Sequence, residues 1–309
     1  MINDPAFVRQ ELEKSLQASG FKLGPLEDLG RSYLGQATKD NTSYHVKVAK
    51  SKSENLRLQN GTAFNQALAK LKPPFSLPEV VLTGTLLADF YFKVETTLSG
   101  TPFAVLKAGI GKLQVDDPAS YFPAIREMIT WLQRQKITLP SGFDQQLHAF
   151  FVRNKQTAIS TMISWSYNST PRFSDLLKIV QANESALEKI TVHQDMTPIN
   201  VIVTGQGRVG LIDADLAETT GPKYYDVAEF YNRLWTRVCR PDLARQFLTE
   251  VISHLPPDKS HFYHSLLVIL AVRSVGNYFE IMQIKDNQAK RIEFAKTFAD
   301  HIADKGFLN

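Results

Sequence analysis

Three polar residues lie around one short segment that is predicted to form a β-hairpin. Asp195 lies in a polar loop, and Asn200 follows it at the start of a β-branched stretch. The chain turns at residues 205–207 and returns as a second apolar stretch that ends at Asp213. An antiparallel hairpin brings its two ends together, so we expect Asn200 and Asp213 to be neighbours, with Asp195 close by.

These side chains fit a hard cation and a reacting alcohol. Mg²⁺ prefers carboxylate and amide oxygens together with water and substrate phosphates. Asn200 and Asp213 offer such oxygens. The remaining carboxylate, Asp195, can orient a hydroxyl group and accept its proton. Phosphoryl transfer needs this combination of groups.

The spacing His193-x-Asp195-x-x-x-x-Asn200, followed by Asp213, resembles the catalytic loop and metal-binding Asp of the protein-kinase-like superfamily. Eukaryotic protein kinases have Phe-Gly after that Asp, whereas this chain has Ala214-Asp215. The continuation Tyr225-Asp226-Val227-Ala228 is similar to the aminoglycoside phosphotransferase and choline kinase branch.

The resemblance implies a role for each of these positions. Asp195 would be the catalytic base, and Asn200 and Asp213 would hold Mg²⁺. Asp226 would stabilise the helical lobe. Apart from the resemblance, we expect Asp215 to be an additional acidic group near the metal or the acceptor.

The surrounding elements predict an α+β fold with two lobes, similar to that of protein kinases. Residues 1–98 read as a small antiparallel β-rich nucleotide-binding lobe with one inserted helix. Residues 99–309 read as a larger, mainly helical lobe with the catalytic loop and the acceptor site. Helical periodicity in this second lobe predicts helices over 119–135, 143–165 and 174–190.

The small lobe contains candidates for binding nucleotide. Lys47 lies in the middle of a predicted strand, and its apolar neighbours would point to the other face, which leaves it free to reach phosphates. Lys50, at the end of the strand, is the competing candidate. The resemblance places the nucleotide-covering loop at Arg31, Ser32 and Tyr33, whose backbone N–H groups would meet phosphate oxygens. It also places the main chain of Glu95 and Thr97 at the adenine edge.

One departure from the family concerns the partner of Lys47. The family pairs this lysine with a glutamate on the inserted helix, whereas the sequence offers only Glu54, near the helix start. Either Glu54 pairs with Lys47 through an early helix start, or an amide of Asn60, Asn65 or Gln66 replaces it. An amide would hold the lysine less firmly than a carboxylate.

Composition limits the class of protein. The 309 residues carry 35 Lys and Arg against 31 Asp and Glu, a net charge of +4, and 43% are hydrophobic. This is globular composition, and the charge is too small to imply nucleic acid or a membrane as partner. A single cysteine, Cys239, excludes a disulfide framework and a Cys-based zinc site within one chain. We expect a cytoplasmic protein.

The sequence therefore predicts an ATP- and Mg²⁺-dependent phosphotransferase that acts on a hydroxyl of a small molecule. The acceptor would be an aminoglycoside, an amino alcohol, a sugar or a related metabolite. Residues 230–309 contain 11 Lys and Arg against 8 Asp and Glu, which gives no support for a polycationic acceptor. The alternative is a catalytically weak nucleotide-binding regulator with the same fold.

Overall fold

The chain forms two compact units. The computed structural model describes residues 5–139, 156, 159–164, 172–183, 187–282 and 287–305. The first unit, here called the sheet unit, comprises Met1–Ser99, Ile137–Phe143 and Leu211–Ala217. The second, the helical unit, comprises Gly100–Lys136, Asp144–Gly210 and Glu218–Asn309. The helix predicted over 143–165 lies largely outside the described residues.

The sheet unit is built on a five-stranded antiparallel sheet with the strand order β1-β2-β3-β5-β4. The strands are β1 (Lys22–Asp28), β2 (Ser32–Lys39), β3 (Thr42–Ala49), β4 (Val80–Leu86) and β5 (Phe90–Thr96). Asp40 and Asn41 join β2 to β3 with φ values of 50° and 63°. Positive φ at both positions is what a two-residue hairpin turn of matching twist requires.

One face of this sheet packs on the first helix, α1 (Pro5–Gln17). Val8, Leu12 and Leu16 of that helix are buried in one apolar cluster with Val46 and Val48 of β3. Successive residues of a strand point to opposite faces. Lys47, between the two valines, therefore projects from the face that α1 does not cover.

The second helix, α2 (Lys52–Lys70), packs on that other face. Its N-terminus is capped by Ser51, whose side chain accepts a hydrogen bond from the N–H of Glu54 at 3.2 Å. A short 3₁₀ turn at Ala214–Leu216 packs against α2. Lys47 of β3 and Lys93 of β5 are cross-strand partners, so both point toward this helix and turn.

The helical unit contains α-helices and several short strands. The helices are α3 (Phe122–Arg134), α4 (Phe173–Asn183), α5 (Tyr225–Thr236), α6 (Pro241–Ser253), α7 (Ser260–Met282) and α8 (Gln288–Ala303). Every residue of α5 is buried, so this helix forms the centre of the unit. Aromatic side chains of Phe103, Phe122, Phe230 and Phe247 contact one another at ring distances of 4.7–6.4 Å.

The short strands pair in three small sheets. They are β6 (Thr101–Pro102), β7 (Ala104–Lys107), β8 (Ile110–Leu113), β9 (Lys189–Val192), β10 (Val201–Val203), β11 (Val209–Leu211) and β12 (Glu218–Pro222). The sheets have the orders β11-β10-β6, β12-β9 and β7-β8. Strands β10 and β11 are the hairpin on which the sequence prediction of the site depends.

The structure differs from the sequence prediction in the helix expected over 174–190. The described helix is Phe173–Asn183, and residues Lys189 and Ile190 belong to strand β9 instead. Thr191 and Val192 are β-branched, and β9 pairs with β12 in an antiparallel ladder. The α+β fold class predicted from the sequence is confirmed. None of the helices within the described ranges combines the length and apolar character that a membrane crossing requires.

A glycine allows α2 to approach the turn that contains Asp215. A Cβ atom at Gly61 would lie 3.1 Å from both the backbone N and the Cα of Asp215, and closer still to its carboxylate. We expect Gly61→Ala to lower the free energy of unfolding by about 1–2 kcal/mol, because overpacking exceeds the gain in helix propensity.

Gly276 in α7 provides the matched control for this substitution. A Cβ there would have Arg273 Nη1 as its nearest neighbour, at an ordinary contact distance of 3.7 Å. Gly276→Ala should raise the free energy of unfolding by about 0.4–1 kcal/mol, since nothing clashes and the unfolded chain loses freedom. Urea unfolding curves of the two variants test the pair. Equal effects would show that the contact with Asp215 is unimportant.

Candidate active site

Lys47 is held by two carboxylates of the sheet unit. Its Nζ donates to Asp213 Oδ1 at 2.9 Å and also forms a short ion pair with Asp215. Burial alone would lower the pKa of Lys47, but Asp215 and Asp213 outweigh it and hold this pKa well above its ordinary value. Lys47 is therefore a fixed cation beside the proposed metal ligand.

A second lysine belongs to the same cluster, and sequence analysis missed it. Lys93 is 1% exposed, and its Nζ lies 3.0 Å from Asp215 Oδ1 and 3.0 Å from Glu95 Oε2. Burial alone would raise the pKa of Asp215, yet Lys93 and Lys47 together hold it well below its ordinary range. Asp215 is thus a buried, ionised carboxylate between two ammonium groups.

Lys47 forms its ion pairs neither with Glu54 nor with an amide side chain of α2, the two kinds of partner that the sequence left open. Helix α2 does begin early, at Lys52, but Glu54 forms its ion pair with Arg57, at 3.4 Å. Burial is the main reason that the pKa of Glu54 is raised. Asn60 donates instead to the carbonyl oxygen of Ala217 at 2.8 Å, which ties α2 to the 3₁₀ turn. Asp213 and Asp215 take the place of a helix carboxylate.

Asp213 has an unusual backbone conformation. Its φ and ψ values are 61° and 56°, in the left-handed region, just before the 3₁₀ turn. Few residues other than glycine adopt this conformation, and it occurs often at functional sites. The Asp213 side chain is 39% exposed, whereas that of Asp215 is 6% exposed. Of the two carboxylates, Asp213 is the accessible one.

In the helical unit, Asn200 positions Asp195. Its amide nitrogen donates to the Asp195 carbonyl oxygen at 2.9 Å and to Oδ2 at 2.8 Å. The N–H of Thr197 also donates to the Asp195 carbonyl oxygen, at 2.8 Å. These bonds fix the loop and leave the amide oxygen of Asn200 as the atom that could bind a cation. The proximity of Asn200 to Asp213 stays a prediction, because the two residues belong to different units.

Asp226 fixes the start of the same loop. It is fully buried at the beginning of α5, and it accepts hydrogen bonds from the N–H groups of His193 at 2.8 Å and Gln194 at 2.9 Å. Burial raises the pKa of Asp226 to about 7, against the effect of these two bonds. The sequence predicted that Asp226 stabilises the helical lobe. In the structure, Asp226 binds the backbone of the loop that contains Asp195.

Replacement of Asp226 by Asn should destabilise the protein. An amide oxygen can replace one acceptor, but its NH₂ group then faces a backbone donor, which costs about 1–3 kcal/mol. The pH dependence should also change. A carboxyl group with a folded pKa near 7 binds more protons in the folded state than in the unfolded state. The contribution of Asp226 to the free energy of unfolding therefore falls as pH rises from about 4 to about 7.

Urea unfolding at several pH values tests both parts of this prediction. Asp226→Asn should unfold at lower urea and lose part of the pH dependence between about 4 and about 7. Asp242→Asn, at an exposed aspartate of α6 that pairs with Arg240, is the control; loss of this surface pair should lower stability by no more than about 1 kcal/mol and leave the pH dependence between about 4 and about 7 nearly unchanged. A variant with unchanged stability and unchanged pH dependence would contradict the role given to Asp226.

The charges that act on Asp195 come from α5 and from Arg237, the residue that follows this helix. Burial raises the pKa of Asp195, and Glu229 adds to this effect, while Arg233 and Arg237 oppose it. A base with a raised pKa accepts a proton more readily near neutral pH.

Ion pairs connect α5 with α7. Arg233 binds Glu280 through two bonds of 2.5 and 2.7 Å and Glu229 at 2.6 Å, and Arg273 binds Glu229 at 2.7 Å. Sequence analysis missed these residues. The spacing of Glu229 and Arg233, four residues apart on α5, was the available signal.

The residues assigned to the nucleotide-covering loop adjoin the start of β2. Arg31 is exposed, Ser32 is buried, and Tyr33 is fully buried in the apolar cluster under α1. The backbone of Tyr33 lies between Asp28 of β1 and Val48 of β3 in the sheet, so contact of these backbone N–H groups with phosphate stays a prediction. Lys50 forms an ion pair with Asp28 at 2.8 Å and lies over the Tyr33 ring, so it has partners of its own.

Glu95 and Thr97 lie at the end of β5. The Glu95 side chain is 14% exposed and turns toward Lys93, whereas Thr97 is exposed. The contact of their main chains with adenine stays a prediction.

The donor atoms fit Mg²⁺. Asp213 offers an exposed carboxylate and Asn200 an amide oxygen, both of which are hard ligands. Over the described ranges, no three His, Cys, Asp or Glu side chains form a group that could hold a metal. Either residue alone supplies too few ligands for Mg²⁺, so water and nucleotide phosphates would have to complete the ligand set.

Comparison with known proteins identifies a family. Residues 31–258 match the model of the phosphotransferase enzyme family. None of the curated proteins matches the chain significantly.

Solved structures of aminoglycoside phosphotransferases share the fold. APH(4)-Ia has a TM-score of 0.63 and 16% identity, over 98% of this chain and 99% of its own. The gentamicin complex of APH(2″)-IIa has a TM-score of 0.61 and 16% identity, and the match covers 97% of this chain and 99% of that protein. Spectinomycin phosphotransferase APH(9)-Ia, in complex with ADP and spectinomycin, has a TM-score of 0.56 and 12% identity. The match covers 96% of this chain and 97% of that protein.

Proposed function

Because the chain belongs to the phosphotransferase enzyme family, we propose that it transfers the γ-phosphoryl group of ATP to a hydroxyl of a small molecule. The observation that carries this proposal is the pairing of Asn200 with Asp195, at 2.8 Å, on a loop held by Asp226. A base fixed in this way by a side chain and by the backbone is suited to orient a hydroxyl group.

The proposed roles follow from the chemistry of each side chain. Asp195 accepts the proton of the acceptor hydroxyl. At the same time, the oxygen of that hydroxyl forms a bond to the γ-phosphorus. The bond between that phosphorus and the oxygen bridging to the β-phosphate breaks, and ADP leaves. Lys47 binds the phosphates as a cation. Asn200 and Asp213 would hold Mg²⁺, which supplies positive charge to the phosphate oxygens.

The cluster around Asp215 supports the role of Lys47. Lys93 neutralises Asp215 from the buried side, so Lys47 is not the only cation on this carboxylate. Lys47 can then turn toward an incoming polyphosphate without leaving Asp215 unpaired. Lys93 is in this scheme a positioning residue, since it is buried and bound to Asp215 and Glu95.

An acceptor screen tests the proposal. The protein is incubated with Mg²⁺ and ATP and with aminoglycosides, amino alcohols, sugars and hydroxy acids, and phosphorylated products are detected by mass spectrometry. We expect one class to be phosphorylated with release of one ADP per product. A protein that binds ATP but phosphorylates no alcohol would instead favour the second candidate.

That second candidate is a nucleotide-binding regulator with weak or no turnover. It is favoured by one observation, namely that α2 gives Lys47 no carboxylate partner, since Glu54 pairs with Arg57. Thermal shift with Mg²⁺ and ATP would be positive for both candidates. Slow hydrolysis of ATP without an acceptor, abolished in Asp213→Ala, would favour the enzyme.

A further inference from the structure

The two lysines of the sheet unit differ in their freedom to move. Lys93 is 1% exposed, and its Nζ lies 3.0 Å from both Asp215 Oδ1 and Glu95 Oε2, so it is fixed in the core. The Lys47 side chain is 16% exposed, and one of its two carboxylate partners, Asp213, is 39% exposed. A lysine has a flexible four-carbon stem, which allows a side chain at the edge of a cluster to exchange partners. Lys47 is therefore the lysine that an incoming ligand can draw away.

Lys47 occupies an oxygen that the proposed metal site would use. Its Nζ donates to Asp213 Oδ1 at 2.9 Å, and Asp213 is the proposed metal ligand. An ammonium group on this oxygen competes directly with a divalent cation, and the two positive charges repel each other at contact distance. The short ion pair of Lys47 with Asp215 holds the ammonium group in this position. A metal ion at Asp213 is thus disfavoured while Lys47 remains there.

The charges of the cluster indicate what would change this state. Two lysines face three carboxylates, those of Asp213, Asp215 and Glu95, which leaves one negative charge. When a polyphosphate draws Lys47 away, one lysine remains beside the same three carboxylates, which leaves two negative charges. A divalent cation balances these two charges. Nucleotide phosphates therefore make the cluster more favourable for a divalent cation.

Lys93 allows Lys47 to leave. Asp215 is 6% exposed, and a buried carboxylate without a cation is costly to a folded protein. The two lysines bind different oxygens of Asp215, Lys93 at Oδ1 and Lys47 at Oδ2, so Lys93 keeps its contact when Lys47 leaves. Asp213 is more exposed, so water can hydrate its carboxylate during the exchange. Neither carboxylate is therefore left both buried and uncompensated.

We propose that Lys47 shields Asp213 from divalent cations until nucleotide phosphates draw it away, and that Lys93 is the positioning residue that permits this exchange. The proposal rests on the proposed function and specifies how metal and nucleotide binding are coupled at that site. A divalent cation alone then binds weakly, because Lys47 occupies Asp213. Nucleotide binding removes this competition, and coupling of this kind is reciprocal.

Binding of Mn²⁺ to the nucleotide-free protein tests the shielding. Mn²⁺ accepts carboxylate and water ligands as Mg²⁺ does, and electron paramagnetic resonance measures its free concentration. Lys47→Met should bind Mn²⁺ at least about tenfold more tightly than the unmodified protein, because Asp213 and Asp215 lose the competing ammonium group. Lys50→Met, which removes a lysine paired with the exposed Asp28, is the control and should leave the Mn²⁺ affinity unchanged.

A double variant identifies the carboxylate that is shielded. Asp213→Asn in the Lys47→Met background should abolish the tighter binding of Mn²⁺. Equal Mn²⁺ affinities of Lys47→Met and the unmodified protein would overturn the proposal. Micromolar Mn²⁺ binding to the unmodified protein that is lost in Asp213→Asn would do the same. Lys47→Gln keeps a hydrogen-bond donor without the charge, and it replaces Lys47→Met in this test if that variant does not fold.

Binding of ADP in the presence of EDTA tests the role of Lys93. Lys93→Met should bind ADP at least about tenfold more weakly, because Lys47 is then needed to neutralise the buried Asp215. The double variant Lys93→Met/Asp215→Asn should recover most of this affinity, since the carboxylate that retains Lys47 is gone. Calorimetric titration gives the affinities, and urea unfolding shows that each variant is folded. A loss that the double variant does not recover would contradict the role given to Lys93.

These binding measurements involve no acceptor alcohol, so their outcome is separate from that of the acceptor screen. Mn²⁺ binding that tightens in Lys47→Met, in a protein that phosphorylates no alcohol, would support the inference while the proposed kinase function fails. Phosphorylation of an alcohol by a protein whose Mn²⁺ affinity does not depend on Lys47 would overturn the inference and leave the kinase function intact.

Discussion

Replacement of Asp195 by Asn is expected to lower the kcat of phosphoryl transfer by about 10²- to 10⁴-fold, the usual contribution of a general base. The amide keeps the shape of the side chain and can still accept from Asn200, so the loop should retain its conformation. It cannot accept a proton from the hydroxyl. The affinity for ATP should change little, because Asp195 has no assigned role toward the nucleotide.

The same variant should keep or increase its stability. Burial and Glu229 raise the pKa of Asp195, so the folded protein disfavours its charge at neutral pH. Loss of activity together with preserved stability is the result expected of a site residue rather than a structural one. Asp242→Asn is the matched control. A kcat within about tenfold of the unmodified protein would exclude Asp195 as the base.

Replacement of Lys47 by Met should lower kcat/KM for ATP by about 10²- to 10³-fold, a typical loss for one preorganised charged group. Lys50→Met is the control, since Lys50 lies at the end of the same strand and pairs with the exposed Asp28. We expect its kinetics to be nearly normal. Calorimetric titration with ADP and Mg²⁺ gives the affinity, and urea unfolding identifies conditions under which each variant is folded.

The two lysine variants also decide between the two candidates left open by the sequence. A large effect of Lys50→Met with a small effect of Lys47→Met would reverse the assignment. Lys47→Met should also lose stability, because Asp213 and Asp215 lose a cation that they share. Binding must therefore be compared below the temperature at which the variant begins to unfold.

The sequence predicted much of the sheet unit because its signals are local. Local patterns of polar and apolar residues indicated a small antiparallel sheet with one inserted helix, which the structure contains. The fixed spacing from Asp195 to Asn200 indicated the loop. Such patterns involve residues that are close together in the sequence. They can therefore be recognised without knowing how the chain folds.

The partners of Lys47 and Lys93 could not be predicted in the same way. Asp215 lies 168 residues after Lys47 and 122 residues after Lys93. No spacing rule relates residues so far apart, since their contact depends on how the whole unit packs. The cross-strand register that places Lys93 beside Lys47 is likewise a property of the folded sheet.

The sheet unit is discontinuous in sequence, which affects the order in which it can form during synthesis. Its strands are complete by residue 99, but the segment Leu211–Ala217, with Asp213 and Asp215, emerges from the ribosome more than a hundred residues later. Until then Lys93 has Glu95 as a carboxylate partner but lacks Asp215. A nascent chain arrested before Leu211 should therefore be more sensitive to proteases in this region than one arrested after residue 217 has left the exit tunnel.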